Sequence, residues 1–337
     1  MKRKGKQTWC FENNIYITST GTAVGPLEGK GPLSDQFDKV FDSLYCGEVN
    51  WEKAEQRLMT EAINSCLQKV NKSKGEIDVL LAGDLLNQNV TSSYVAREME
   101  IPFLGVFAAC STITESLALA SVLVDGGYAT DVLAATSSHN ATAERQFRYP
   151  TEFGGQKPAT ATFTVTGAGA AYISKEKANI KISEATIGRV IDLGMKNPYD
   201  MGSAMAPAAF DTIIAHLNDT NREVTDYDLI VTGDLSRVGS SIIKGLLEEH
   251  GHDVQANYAD CGLMVFGPGQ PTFAGGSGCA CPAVVTLGHL VNEMKNGTLR
   301  RLLVVATGAL LNPTMIQQKE SIPCIAHGIV LESTATS

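Results

Sequence analysis

The stretch VFAACSTITESL, residues 106–117, passes from an apolar run through a cysteine into a helical pattern. A thiol at the first turn of a helix faces the positive end of the helix dipole and backbone N–H groups without partners, and both favour thiolate. Thiolate is the nucleophilic form, so Cys110, with Ser111 beside it, sits where an acyl-transferring nucleophile would sit. The alternative is an inert buried thiol in a tight junction. Acyl transfer also needs a proton carrier beside the sulfur and donors for the thioester oxygen. Of the six histidines, His216, His250 and His252 fall on or just past predicted surface helices, and His289 lies inside a helical pattern. His139, after an apolar strand, and His327, in the closing CIAHG, are less easily set aside; His139 reads as a turn residue or as a site contact.

Two further groups could bind rather than react. The segment SSHNATAERQFRYPTEFGGQKP (137–158) carries Arg145, Arg148 and Lys157. Arg148, between Phe147 and Tyr149, has the form of a bidentate carboxylate binder flanked by stacking surface, or of an exposed loop arginine. Asp84 and Asp234 end two matching Gly-Asp pairs. One of them could stand near a ligand through bound calcium, or each could cap the helix that follows; their repetition favours caps.

A repeated frame must position these residues. IDVLLAGDLL (77–86) recurs as YDLIVTGDLS (227–236), and CSTITESLALASVLVDGGYATDVLAAT (110–136) aligns without gaps on CPAVVTLGHLVNEMKNGTLRRLLVVAT (281–307). Each longer copy runs from a helix through a glycine stop, Gly126 or Gly297, into an apolar strand. Ile113, Leu117, Ala120 and Val124, and likewise Val284, Leu287, Val291 and Met294, keep helical spacing. DVLAAT and LLVVAT are near-continuous apolar runs, the mark of strands covered on both faces. Alternating strand and helix predicts parallel pairing. Further strands are predicted at 14–19, 102–107, 161–174, 180–190 and 271–275, and helices at 51–70, 91–99, 207–218 and 237–249. Two halves, 1–177 and 178–337, should stack as an α/β fold of five layers, αβαβα, with the helices from 110 and 281 buried in the middle.

The chain of 337 residues is long enough for two core-forming units, and 44% hydrophobic with 19% charged residues suits a packed protein. A net charge of -9 argues against nucleic acid as the main partner. The basic MKRKGK reads as a solvated tail or a contact to anionic lipid, and QTWCFENN after it gives no secretory signal. No apolar run reaches bilayer length. Eight scattered cysteines suit reduced thiols, and Cys279 and Cys281 lack a second pair at zinc spacing.

IPFLGVFAACSTITESLALA, ATATFTVTGAGAAYIS (159–174), FAGGSGCACPAVV and CIAHGIVLE together resemble the thiolase superfamily, and within it the ketoacyl-synthase III branch. The resemblance covers most of the chain and implies a duplicated thiolase-like fold. It also implies that proton chemistry belongs to a histidine after the second-half strand and an asparagine before the second central helix. Those positions fall at or beside Gly233 and at Ser277, and neither replacement can do that work. Asp234 adjoins the first, but strand alternation would point it away from where residue 233 points. Cys324 looks like the second catalytic cysteine of thiolases, or else is a small buried hydrophobe. The expectation is that Cys110 lines a pocket and that no residue is catalytic.

QTWCFENNIYITSTGTAVGPLEGKGPL and YPTEFGGQKPATATFTVTGAG resemble a non-enzymatic branch of that superfamily found in spore-forming bacteria. This resemblance implies a spore protein that binds pyridine-2,6-dicarboxylic acid (dipicolinic acid). It implies work with integral membrane proteins encoded beside it, moving the compound with calcium into the developing spore and out at germination. A peripheral place on the inner membrane is implied too, and a homodimer paired along the strand before the nucleophile. A dianion on an acidic chain needs local donors. Those expected are the backbone N–H groups at 111–113 and 281–284, apart from Pro282, with Gly275, Gly276 and Gly278 allowing close approach and the insertion at 138–158 covering the cleft. The candidate contacts are Cys110, Ser111, Ser277, Gly276, Arg148, Arg145, His139 and Asp84, with no cofactor or resident metal expected beyond calcium carried with the ligand.

Overall fold

Apolar runs that recur in the same order form two half-sheets of the same design. The structure, a computed structural model, describes residues 2–334. The first half-sheet runs Phe103–Gly105, Val79–Asp84, Val132–Ser138, Gly167–Ser174 and Thr8–Val24. The second runs Tyr258–Asp260, Leu229–Thr232, Arg301–Ala309, Cys324–Ser333 and Ile180–Thr186. In each half the first three strands are parallel, as expected from the crossover helices. The last two joins are antiparallel, which the alternation did not predict. The segments 139–166 and 310–323 return to the sheet at the end they left, so the next strand runs back.

Thr8–Val24 holds the halves together. Its first part pairs with Ile180–Thr186 along one edge (Thr8 opposite Thr186), and its later part pairs with Gly167–Ser174 along the other (Val24 opposite Gly167). The strand therefore extends well beyond the predicted 14–19, and hydrogen bonding runs across the sequence boundary at 177/178.

Three cores fill the layers between and outside the sheets. Helices α1 (Trp51–Gln68) and α2 (Val90–Met99) cover the first half with Leu58, Met59 and Ile63 against Leu80, Leu133 and Tyr172. Helix α3 (Thr112–Gly126) and the second central helix (280–295) lie between the sheets, where Ile113, Leu117, Val284 and Leu287 meet Ile173, Val304 and Ile329. Helix α4 (Asn140–Phe147) follows the strand Val132–Ser138. Helices α5 (Met201–Thr220) and α6 (Ser236–Glu249) close the far side with Met205, Ile213 and Ile243 on Ile230 and Val330. The order is αβαβα.

Several boundaries moved. The strand predicted at 271–275 is turn; the pairing lies one step on, where Gly276–Ser277 runs parallel to Phe163–Thr164. That contact divides the predicted strand 161–174 in two. Helix α5 begins at Met201 rather than 207 because Asp200 accepts from the Ser203 N–H and Pro207 is carried inside the helix. The basic N-terminus is not a solvated tail. Arg3 pairs opposite Trp9, Lys2 meets Asp125 at 3.1 Å and Lys4 meets Glu184 at 2.7 Å. Among the described residues no helix is long and apolar enough to cross a membrane.

The packed layers also bury acids. Glu55 of α1 is fully buried, accepting from Ser137 Oγ (3.0 Å) and Thr142 Oγ1 (2.8 Å), with no cation in that set. Burial, and then the Asp84 carboxylate, push its pKa up to about 8. The folded chain thus holds a proton that the unfolded chain releases near its ordinary carboxylate pKa, so stability falls as pH rises toward 8. Buried His139, His216 and His327, pushed down to about 4, act oppositely, but only below about 6.5, where the unfolded chain takes up their protons. We expect the urea midpoint to drop between pH 6.5 and 8, with Glu55 contributing on the order of 1 kcal/mol per pH unit. Glu55→Gln should flatten that drop; an unchanged slope would remove Glu55 as its source.

Candidate functional site

The turn before α3 is built by its own side chains. Ala109 takes a left-handed φ of 47°, which swings Cys110 to the head of the helix. Ser111 Oγ donates to the Ala108 carbonyl at 2.7 Å, and Thr112 Oγ1 donates to the Ala109 carbonyl at 2.6 Å. The backbone N–H groups of Ser111 and Thr112 bond the same two carbonyls, at 3.1 and 3.2 Å. At the second central helix, Ala280 N–H donates to Ser138 Oγ and Cys281 N–H to the Gly278 carbonyl, each at 3.0 Å. The expected anion-binding donors are therefore largely taken up within the protein, and Ser111 with them. The two helix ends do converge, since Cys279 Sγ donates to the Ala109 carbonyl at 3.0 Å.

Cys110 is 6% exposed, and its thiol lies close enough to the Asp234 carboxyl to feel its charge. Burial, then the Asp234 charge, raises the thiol well above its ordinary pKa, so the helix dipole does not yield a thiolate. This corrects the expected direction of Asp234. Its Oδ1 accepts from Thr307 Oγ1 (2.6 Å) and its Oδ2 from the Gly278 N–H (3.0 Å), which turns the carboxyl into the cleft. Burial pushes Asp234 up to about 7, against the opposing bonds from Thr307, Cys110 and Gly278. Gly278 has a φ of 96°, and a Cβ there would lie 2.8 Å from the Thr164 methyl, so the turn that brings its N–H to Asp234 needs glycine.

The two Gly-Asp copies have diverged. Asp84 caps α2, taking Ser92 N–H (2.8 Å), Ser92 Oγ (2.6 Å) and Leu86 N–H (3.0 Å). The capping reading holds for Asp84, which does not line the cleft. In the second copy Asp260 takes that place, accepting from Leu235 and Ser236 N–H at 2.9 Å, and Asp234 is left to face Cys110.

Of the predicted contacts, the fold brings Cys110, Ser277 and Arg148 to the wall of one small cavity of about 40 Å³, closed by Phe147, Met201 and Leu311. Ser277 Oγ is bonded by Thr162 Oγ1 at 2.8 Å. Gly276 is held in the short strand, where its carbonyl accepts from Ser236 Oγ at 2.7 Å. His139 is buried outside the cavity; Nε2 donates to the Leu44 carbonyl (2.8 Å) and Nδ1 accepts from the Ala141 N–H (3.1 Å), capping α4. Arg145 points to the surface, pairing with Glu52 over the Trp51 ring. His327 Nδ1 accepts from the Gly188 N–H, and Cys324 packs in the outer core of the second half as a buried hydrophobe.

Sequence reasoning missed Glu144. It is buried and accepts from Arg148 Nη2 (2.7 Å) and Nε (3.2 Å), with Lys157 Nζ 2.8 Å away. Its spacing of four from Arg148 on a helical pattern was the available signal. Arg148 is thus neither exposed nor free. Past this pair a wider chamber of about 570 Å³ opens under the residues 149–157, lined by Asn140, Lys157, Phe163, Tyr199 and Phe273. The insertion covers the cleft, and the Arg148–Glu144 pair divides it into two rooms. Among the described residues no group of His, Cys, Asp and Glu side chains is arranged to hold a metal ion.

The fold is that of the ketoacyl-synthase III branch. The 3-oxoacyl-[acyl-carrier-protein] synthase III of Aquifex aeolicus superposes over 95% of this chain and 100% of its own, with a TM-score of 0.60 at 15% identity. OleA of Xanthomonas campestris covers 96% of this chain and 99% of its own, with a TM-score of 0.61 at 14% identity. Stage V sporulation protein AD of Bacillus subtilis is 61% identical over 332 residues, 98% of either chain. The family described as Stage V sporulation protein AD matches residues 5–332. By this match and that identity, the chain belongs to the stage V sporulation protein AD family.

Proposed function

We propose that this sporulation protein is a binding protein without catalysis of its own, and that it holds dipicolinic acid with calcium. It would act with integral membrane proteins encoded beside it, on the spore inner membrane, in uptake by the developing spore and release at germination. One observation carries the non-catalytic part: the Cys110 thiol is buried against Asp234, and both effects keep it protonated. By the family resemblance, the positions of the histidine and asparagine proton carriers fall at or beside Gly233 and at Ser277. A protonated thiol makes a wall and a weak donor rather than a nucleophile. Calcium would travel as the counter-ion of the dicarboxylate, since the chain supplies no ligand cluster of its own among the described residues. A homodimer would form along the edge strand Phe103–Gly105, where Leu104 and Phe107 stand about half exposed.

A second reading has one specific support. Asp234, with a pKa pushed up to about 7 and beside Cys110, is placed as a general base is placed in acyl transfer. The two readings part on covalent chemistry. Incubation with acetyl- and malonyl-coenzyme A followed by intact-mass measurement is expected to leave the protein unmodified; an adduct lost in Cys110→Ser would favour the enzyme. Titration calorimetry with dipicolinate, with and without calcium, is expected to give saturable binding, and its absence in both would end the binding reading. Arg148→Gln should weaken that binding about tenfold by removing the excess positive charge of the Arg148–Lys157–Glu144 cluster beside the cleft. Arg145→Gln, at an exposed ion pair, should leave it within twofold of wild type.

A further inference from the structure

We infer that the N-terminal ribbon and the far end of α3 form a docking face for an anionic lipid bilayer. The inference rests on the membrane placement proposed above and assigns the surface that meets the lipid. The sequence KRKGKQTWCF puts Lys2, Arg3, Lys4 and Lys6 just ahead of Trp9 and Phe11. Arg3–Lys4 folds back to pair with the start of Thr8–Val24, and the turn between them is clamped to the body. Asp219, in the last turn of α5, accepts the backbone N–H groups of Lys6 (3.0 Å), Gln7 (2.8 Å) and Thr8 (2.9 Å). Gly5 takes a left-handed φ of 52° there, and a Cβ on it would fall on the Asp219 carboxylate. A carboxylate that holds three N–H groups fixes the backbone, so the ribbon presents its charges from one place.

The acids beside the ribbon are already committed. Asp125 meets Lys2 at 3.1 Å and accepts the Asn13 N–H at 2.8 Å, while Glu184 holds Lys4 and Arg222. Arg3 and Lys6 are exposed and, among the described residues, stand in no ion pair; Arg3 Nε donates only to the Gly5 carbonyl. The unpaired charges of the ribbon therefore have one sign, which a layer of anionic headgroups complements without needing a matching shape. Arg3 lies opposite Trp9, so their side chains share one face of the ribbon. Trp9, Phe11, Val122 and Tyr128 line a hollow of about 390 Å³ beside it, and Tyr128 is 83% exposed. Aromatic rings with cations at their edge suit the boundary of a bilayer, where the ring meets the acyl region and the cation meets phosphate. Helix α3 has 15 residues and is about 22 Å long, so docking at this end holds Cys110 and the cleft clear of the headgroups.

The full chain would be floated with vesicles of phosphatidylcholine alone, and with vesicles of phosphatidylcholine and phosphatidylglycerol in equal parts. Wild type is expected to bind the anionic vesicles, and added salt to lower the bound fraction severalfold. Arg3→Glu combined with Lys6→Glu should weaken partitioning about tenfold or more, and Tyr128→Ser about threefold. These side chains are exposed, so the urea midpoint and dipicolinate titration of each variant should match wild type. Lys53→Glu combined with Lys244→Glu, an equal change of net charge placed on α1 and α6, should leave partitioning within about twofold. Anionic-vesicle binding that survives both the ribbon variant and Tyr128→Ser would overturn this face and leave the membrane placement standing. An equal loss in the α1 and α6 variant would overturn it too, by tracing the attraction to bulk charge. A ribbon variant with an altered oligomeric state would assign the face to a second copy instead. Wild type that binds neither vesicle would overturn the lipid partner, and membrane placement would then rest on the integral membrane proteins alone.

Discussion

A thiol and a carboxyl are buried together at the floor of the cleft, and the side chains that bear on the thiol, Asp234 and Cys279, are acids rather than cations. In a low-dielectric site that arrangement is stable only with protons on the sulfur, the carboxyl or both. Everything around it keeps the floor closed. Ala109 turns the chain so that Cys110 faces inward, Gly278 brings its N–H to Asp234, and Thr307 holds the other oxygen. The head of the first central helix thus holds its cysteine where burial disfavours the thiolate.

Charge in the cleft is carried one layer out. The buried Glu144 gathers Arg148 and Lys157 and leaves the pair of cations only half neutralised. An acidic protein can present a local positive field this way, because solvent and salt screen the distant surface carboxylates while these cations act at contact range. The same ion pair forms the partition between the narrow inner room and the wide outer one. Opposite it, the aromatic groups of 149–163 supply area without charge.

Much of the frame was legible along the chain. The helix starting near Cys110, its glycine stop and the strand at 132 announced themselves by period, as did their copies at 281 and 301. The duplicated halves and five layers followed from that order. The strand Thr8–Val24 was only partly visible because its polar middle, Glu12 to Asn14, interrupts both the apolar pattern and the pairing, which resumes at Ile15. Helix α5 was begun too late because a proline at 207 looks like a boundary, whereas the cap at Asp200 sets the start. The candidate residues mixed three of the cavity, Cys110, Ser277 and Arg148, with Asp84 and His139, whose polar groups serve helix caps, and Ser111, whose hydroxyl is bound in the turn before α3.

The residues alone determined which chemistry was possible: a cysteine at a helix head and arginines in an insertion. Those depend on residue type and on spacing within one element, which sequence states directly. Tertiary structure decided what each group meets. Asp234 and Asp84 are the same letter in the same motif, yet one caps a helix and the other faces Cys110, because Asp260 on a neighbouring strand occupies the cap in the second copy. The protonation of Cys110 and the size of each room likewise arise from elements far apart in sequence, whose separation inside the fold no local pattern encodes.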